Sequence, residues 1–280
     1  MTADTVGTLL TEGERTLARG AGGAGGAARL DAQLLLAWAL AVPRAQLLAD
    51  EQAPAAAAQA AGYRRLLARR AAGEPLAYLT GRREFWSLEL AVTPAVLIPR
   101  PETELLVERA LALGPAGARV ADLGTGSGAI ALAIARERPA WGVVATDISA
   151  AAVAVARANA AALGLGRVEF LQGSWFEPLG AQRFELIVSN PPYVDAADPA
   201  LAALGFEPPL ALSPGADGLA ALRLLVRGAG AHLTPGGWLL LEHGATQGAA
   251  LRRELVAAGF THVRSHRDLA GHERMMEGQR

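Results

Sequence analysis

Asn190, Pro191, Pro192 and Tyr193 close the apolar run "FELIVSNPPYV", placing one amide, two rigid rings and one phenol in consecutive positions. These residue types suit a demanding task. The lone pair of a planar NH2 group is delocalised, so such a nitrogen attacks an electrophile poorly. Two fixed acceptors that bind both of its hydrogens orient it and favour the more tetrahedral, positively charged transition state. The Asn190 side-chain oxygen and the Pro191 carbonyl supply that pair, and the prolines stiffen the turn without spending N–H groups. The Tyr193 ring offers a flat surface for a flat substrate group. The chemistry served is transfer of a methyl cation from a sulfonium to an amide or aromatic amine; hydride transfer has no need of it. The competing reading is a polar turn after a buried strand, since Asn-Pro commonly starts turns.

A second constellation lies upstream. Asp122-Leu123 leads into Gly124, Thr125, Gly126, Ser127 and Gly128, and the helical run "GAIALAIARERP" follows at once. Glycines permit a tight turn and close approach of a ligand to the backbone. Gly124, Gly126 and Ala129 satisfy the relaxed fingerprint G-x-G-x-x-G/A, a weak signal when alone. Asp147, in "VVATDIS", is an acid able to accept hydrogen bonds from both ribose hydroxyls; a plainer role for Asp147 or Ser149 is to cap the helix that follows. Loop and acid together point to a nucleoside-containing cofactor and leave NAD and S-adenosylmethionine both open. Taken with Asn190–Tyr193, they indicate a methyltransferase.

Residues so placed require particular elements beneath them. "RVADLG", "GVVATDI", "RVEFLQ", "FELIVSN" and "GWLLLEHG" are short, apolar and bounded by turn residues, and helical runs such as "AAAVAVARANAAALGL" separate them. This alternation predicts parallel strands with crossover helices, an open α/β sheet whose ligands lie beyond the carboxyl ends of the strands. Residues 1 to about 75 read differently. "TVGTLLTEGERTLARG", "LDAQLLLAWAL" and "AAAAQAAGYRRLLARRAAG" predict three helices of a small bundle, and the glycine-rich Gly20 to Ala28 segment predicts a flexible connector. "EFWSLELAV" predicts a hairpin between the two parts.

Bulk composition narrows the rest. The 280 residues are 51% apolar, enough for a buried core, with a formal net charge of −1 that gives no basic field for nucleic acid. All 26 cationic residues are arginine, which reads as compositional bias rather than chemistry. With no cysteine, disulfides and thiolate metal sites are excluded. His232, His262, His266 and His272 show no metal-ligand spacing, and no metal is expected. The N-terminus lacks a signal-peptide layout and no apolar run is long enough for a bilayer, so a cytoplasmic protein is expected.

These residues resemble the N5-glutamine methyltransferases of the HemK/PrmC family, which modify peptide chain release factors. The resemblance runs through "EPLAYLTGRREFWSLEL", "LIPRPETELLVERAL", "DLGTGSGAIALAIA", "TDIS", "GSWFEPL", "VSNPPY", "LSPGADGLAALR" and "RDLAGHER". Asn-Pro-Pro-Tyr is shared with adenine-N6 DNA methyltransferases, whereas "LIPRPETELLV" is far more specific. The resemblance implies an α/β fold: a Rossmann-like, seven-stranded class I S-adenosylmethionine-dependent methyltransferase domain with a small N-terminal helical domain. The expected division is a helical bundle for substrate-protein recognition over 1–75, a linker hairpin over 76–104 and the methyltransferase domain over 105–280.

Carried over position by position, the resemblance assigns the cofactor to Gly124, Thr125, Gly126, Ser127, Gly128, Asp147, Trp175 and Asn190, with Trp175 beside the adenine. It assigns the substrate to Asn190, Pro191, Pro192 and Tyr193, with Asn190 and Pro191 catalytic. The implied substrate is the glutamine of the Gly-Gly-Gln loop of class-1 release factors, and the products are N5-methylglutamine and S-adenosylhomocysteine. The enzyme is expected to be monomeric, with no membrane or direct nucleic-acid partner. Arg100 and Glu102 are expected either to help close the site or to form a structural salt bridge. His243 is not needed as a base, because the nitrogen becomes acidic once methylated. The glycine-rich Gly20–Ala28 segment departs from the family's short inter-helix loop. Rival readings are a glutamine methyltransferase of a ribosomal large-subunit protein, against which "IPRPETE" argues, and a nucleic-acid adenine-N6 methyltransferase, which would carry a basic surface or target-recognition domain. A dehydrogenase leaves Asn190–Tyr193 unexplained.

Overall fold

The computed structural model describes residues 4–20, 27–199, 201, 204–215 and 217–280, and the chain divides after Arg82 into two compact units. Helices α1 (Val6–Arg19), α2 (Ala28–Leu40), α3 (Arg44–Ala49), α4 (Ala57–Ala71) and α5 (Leu76–Thr80) build the first. The hydroxyls of Thr5 and Thr8 cap α1 reciprocally, and Val6, Leu9 and Leu17 recur at helical spacing on its buried face. Gly13 shares that face because a Cβ there would lie 1.9 Å from Tyr63 Oη. The helix stops at Gly20, as its sequence predicts, whereas the connector expected at Gly20 to Ala28 falls largely outside the described residues. α3 and α5 are too short to show a period in sequence, and α5 falls within the first compact unit.

The expected hairpin is β1 (Arg82–Phe85) and β2 (Leu88–Ala91). Its two turn residues, Trp86 and Ser87, both take positive φ (51° and 56°), which lets a two-residue loop follow the strand twist. Beyond it, α6 (Glu104–Leu113), α7 (Ala129–Glu137), α8 (Ala150–Ala162), α9 (Pro209–Leu212), α10 (Ala220–His232) and α11 (Gly248–Ala257) surround a seven-stranded sheet. The strands are β3 (Arg119–Leu123), β4 (Gly142–Asp147), β5 (Glu169–Gln172), β6 (Phe184–Ser189), β7 (Leu233–Glu242), β8 (Thr261–Arg267) and β9 (Glu273–Gln279), in the spatial order β5-β4-β3-β6-β7-β9-β8. The first five are parallel, and β9 runs antiparallel to β7 and β8.

Both faces of the central strands are buried, which is why their sequences read as nearly continuous apolar runs. The pleat still sorts them. Val120, Leu186, Val188 and Leu240 enter the core cluster that contains residues of α6, α7 and α8, while Ala121, Leu123, Ile187, Leu239 and Leu241 enter the one containing residues of α10 and α11. Strand order reverses between β3 and β6, and that switch opens a crevice at the carboxyl ends of the strands. The parallel core matches the sequence expectation. β8 and β9 escape hydrophobic patterning because they carry charged residues, among them Glu277, buried against Arg109 and His266. No helix of the described residues is long and apolar enough to cross a membrane.

Candidate active site

The spatial order of the strands sets the order of the site. Reading from β5 to β7, the strand ends deliver Trp175, Asp147, the loop Gly124–Gly128, Asn190 and finally Glu242. A cavity of about 730 Å³ opens there, lined by Gly124, Thr125, Gly126, Ser127, Asp147, Trp175, Asn190 and Pro192 among others. That volume suits a nucleoside-sized ligand.

The glycine loop is pinned to its neighbours through the backbone. Gly124 and Thr125 both donate to the Thr146 carbonyl, at 2.8 and 2.9 Å. Gly124 takes φ 76° and lies directly against the Trp175 indole, so that a Cβ would come within 3.2 Å of the ring. Gly128 ends the loop as the left-handed residue before α7 and does not line the cavity. Beneath the loop Asp122 is fully buried. Its Oδ2 accepts from the Thr125 hydroxyl at 2.6 Å and from Ala131 N–H at 3.2 Å, and its Oδ1 is buried without a partner. Burial pushes this carboxyl up to about 7, against the two hydrogen bonds and helped by the charge of Asp147. The sequence assigns Asp122 no role, although an acid two residues before a glycine loop is a legible signal.

Asp147 is not the cap of α8. Ser149 fills that role, its hydroxyl accepting from Ala152 N–H at 3.2 Å. The Asp147 carboxylate instead bridges two loops, accepting from Gly126 N–H through Oδ2 and from Ser149 N–H through Oδ1, each at 2.9 Å. Burial raises its pKa and the two N–H bonds oppose the rise. Trp175 is half-buried, takes φ 47° and presents its carbonyl to the Thr146 hydroxyl at 2.9 Å; it packs against the core that contains residues of α10 and α11 and also lines the cavity.

Asn190 sits at the head of a polar chain that the sequence did not disclose. Its Nδ2 donates to Thr103 Oγ1 at 3.0 Å, Thr103 donates to Glu242 Oε2 at 2.7 Å, and Tyr193 Oη donates to Glu242 Oε1 at 3.1 Å. Pro191 is buried and Tyr193 half-buried, and neither lines the cavity. Tyr193 is held at both ends, since its carbonyl accepts from Gln247 Nε2 at 2.9 Å. Burial and the Glu242 carboxylate raise the Tyr193 phenol above its ordinary range.

Arg100 contributes to the wall, and its guanidinium pairs with the buried Glu207, which also accepts from Ile98 N–H at 3.0 Å. The pair therefore ties the "LIPRP" segment to the chain entering α9. Glu102 is exposed and does not line the cavity. His243 is fully buried away from the cavity wall, its Nδ1 2.9 Å from the Gly244 carbonyl, and burial lowers its pKa. Among the described residues no cluster of three His, Asp or Glu gathers as a metal site would.

Similarities to known proteins agree with this geometry. The PrmC N-terminal domain family matches residues 8–81, and the Methyltransferase small domain family matches residues 101–205. A release factor glutamine methyltransferase of Xylella fastidiosa (strain Temecula1 / ATCC 700964) is 54% identical over 255 residues, 90% of this chain and 93% of that one. Its counterpart in Salmonella typhimurium (strain LT2) is 48% identical over 254 residues, 90% of this chain and 92% of that one. Among solved structures, a methyltransferase from Pyrococcus furiosus superposes with a TM-score of 0.54 at 19% identity, over 69% of this chain and 88% of that one. A T. thermophilus 16S rRNA methyltransferase in complex with AdoMet and guanosine gives 0.53 at 22% identity, over 71% and 49%. The last two speak for the fold alone.

Proposed function

The chain belongs to the release factor glutamine methyltransferase family, and from that premise we propose that it methylates the N5 side-chain amide of the glutamine in the Gly-Gly-Gln motif of class-1 peptide chain release factors, using S-adenosylmethionine. The observation that carries this reading is the Asn190 amide, anchored through its nitrogen to Thr103 at the carboxyl end of β6, beside the glycine loop.

The residues present fit the cofactor. A side chain at Gly124 would strain its positive φ and crowd the Trp175 ring, Asp147 projects a carboxylate beside the loop, and the Trp175 indole offers a flat wall for an adenine. When bound, S-adenosylmethionine supplies an electrophilic methyl whose carbon–sulfur bond breaks as the carbon–nitrogen bond forms, leaving the electron pair on sulfur in S-adenosylhomocysteine. The chain's part is to orient. Asn190 Oδ1, at the cavity wall, accepts one hydrogen of the glutamine NH2, and the carbonyl of Pro191, set just behind that wall, accepts the other. Together they draw its lone pair out of conjugation and stabilise the positive charge that develops on nitrogen. The methylated nitrogen is acidic and releases one proton to solvent, so His243 takes no part. Exposed Ile148, Leu210 and Leu224 on the cavity wall offer apolar surface to a protein loop. Asp147 holds the ribose.

The test is incubation with methyl-labelled S-adenosylmethionine and, in parallel, a purified class-1 release factor, ribosomal large-subunit proteins and DNA. Mass spectrometry should place one added methyl on the Gly-Gly-Gln glutamine. Label accumulating on a ribosomal protein or on DNA, with the release factor unmodified, would overturn the assignment.

A further inference from the structure

The polar chain behind Asn190 has a direction, and its consequence for catalysis rests on the role given to Asn190 above. Thr103 Oγ1 owns a single proton. Ionised Glu242 can only accept, so that proton goes to Glu242 Oε2 at 2.7 Å, and the hydroxyl oxygen is left as an acceptor. Only the NH2 end of an amide can donate to it, and that is the contact made, with Asn190 Nδ2 at 3.0 Å. The opposite end, Oδ1, is thereby left for an incoming donor at the cavity. We propose that Glu242 and Thr103 are positioning residues that decide which end of the Asn190 amide meets the substrate nitrogen.

Two features set this chain apart from ordinary packing. Thr103 stands where the short 3-10 turn Pro101–Thr103 runs on into α6, with helical φ −67° and ψ −18°, so its hydroxyl has no open helix end to cap. Its hydroxyl is committed to Glu242 and Asn190 instead. Glu242, only 2% exposed, has both carboxylate oxygens held by hydroxyls, those of Thr103 and Tyr193, and not by a guanidinium. A carboxylate buried on these terms is costly, and its geometry makes it an acceptor at both ends of the Asn190–Tyr193 segment.

The arrangement also carries a pH signature. Burial raises Glu242 to about 7; the hydrogen bonds of Thr103 and Tyr193 and the charge of Arg274 on β9 oppose this, and Glu102 adds to it. Once protonated, Glu242 can donate to Thr103. The Thr103 proton then turns to Asn190, whose amide presents Oδ1 to the hydroxyl and Nδ2 to the substrate. A donor would then face the glutamine N–H, and turnover falls as pH drops through this range.

The test compares wild type with Thr103→Val, Thr103→Ser and Glu242→Gln, each first shown to be folded by its thermal melt. Thr103→Val and Glu242→Gln should lower kcat roughly 10–100-fold, by analogy with the loss when partners that orient metal-ligating side chains are removed. KM for S-adenosylmethionine and the affinity for S-adenosylhomocysteine should stay near wild type, and Thr103→Ser should restore most of kcat. The acid limb of the kcat profile near pH 7 should vanish in Glu242→Gln. Independently of any turnover, the Asn190 side-chain amide resonances, assigned by their loss in Asn190→Ala, should move with pH in wild type and stay still in Thr103→Val and Glu242→Gln. Failure to methylate the release factor, with the resonances still following Glu242, would sink the substrate assignment alone. Full kcat in Thr103→Val, or resonances indifferent to Glu242, would sink the relay.

Discussion

At the scale of single residues, the site separates groups that hold a ligand from groups that act on the reacting atom, and kinetics can tell them apart. In the proposed mechanism Asn190 acts as charge develops on the substrate nitrogen, so Asn190→Ala should lower kcat by on the order of 10²–10³ while cofactor affinity changes little. Asp147 offers two charged acceptors from a carboxylate already fixed by Gly126 and Ser149. Asp147→Ala should therefore weaken S-adenosylmethionine binding by about 1.5–3 kcal/mol. Titration calorimetry and steady-state rates on the two variants check both halves. Affinity loss in Asn190→Ala with kcat intact, or an unchanged dissociation constant in Asp147→Ala, would contradict these roles.

At the scale of elements, what matters is how the loop is kept in register with the strands around it. Asn159 on α8 is buried and uses its whole amide: Nδ2 donates to the carbonyls of Ala91 and Ser127 at 3.0 and 2.9 Å, and Oδ1 accepts from Ala91 N–H at 2.7 Å. One side chain thus joins the hairpin strand β2, helix α8 and the glycine loop. Removing it leaves those backbone groups without partners, so Asn159→Ala should cost about 1–3 kcal/mol of stability. Urea denaturation measures the loss, and calorimetry should show weaker cofactor binding alongside it. A stable variant with unaltered affinity would mean that the loop is held by its own backbone bonds. Nothing in the sequence "AVARANAAALGL" marks this asparagine, because its three partners are brought to it only by folding.

At the scale of the whole molecule, the buried carboxyls set how stability responds to pH. Asp122 rises from its ordinary 3.8 to about 7 in the folded chain. Between those values the unfolded chain has already lost its proton while the folded chain keeps it, so stability falls as pH increases through that window. Glu242, also raised to about 7, acts in the same sense. Asp122→Asn cannot ionise and keeps an oxygen for Thr125 and Ala131, so its melting temperature should gain on wild type from about pH 4 to about pH 7 and hold that gain above; parallel curves would show that Asp122 does not titrate in this range. The sequence by itself determined the parallel core, the loop Gly124–Gly128, Asp147 and Asn190–Tyr193, because these are local patterns: apolar runs of strand length, turn residues at their ends and side chains one step beyond. Only the tertiary structure decided that Thr103, 87 positions before Asn190, and Glu242, two strands on from the glycine loop, would meet behind the amide. A hydrogen bond reports proximity in space, and strand order fixes proximity here between residues whose spacing along the chain carries no period.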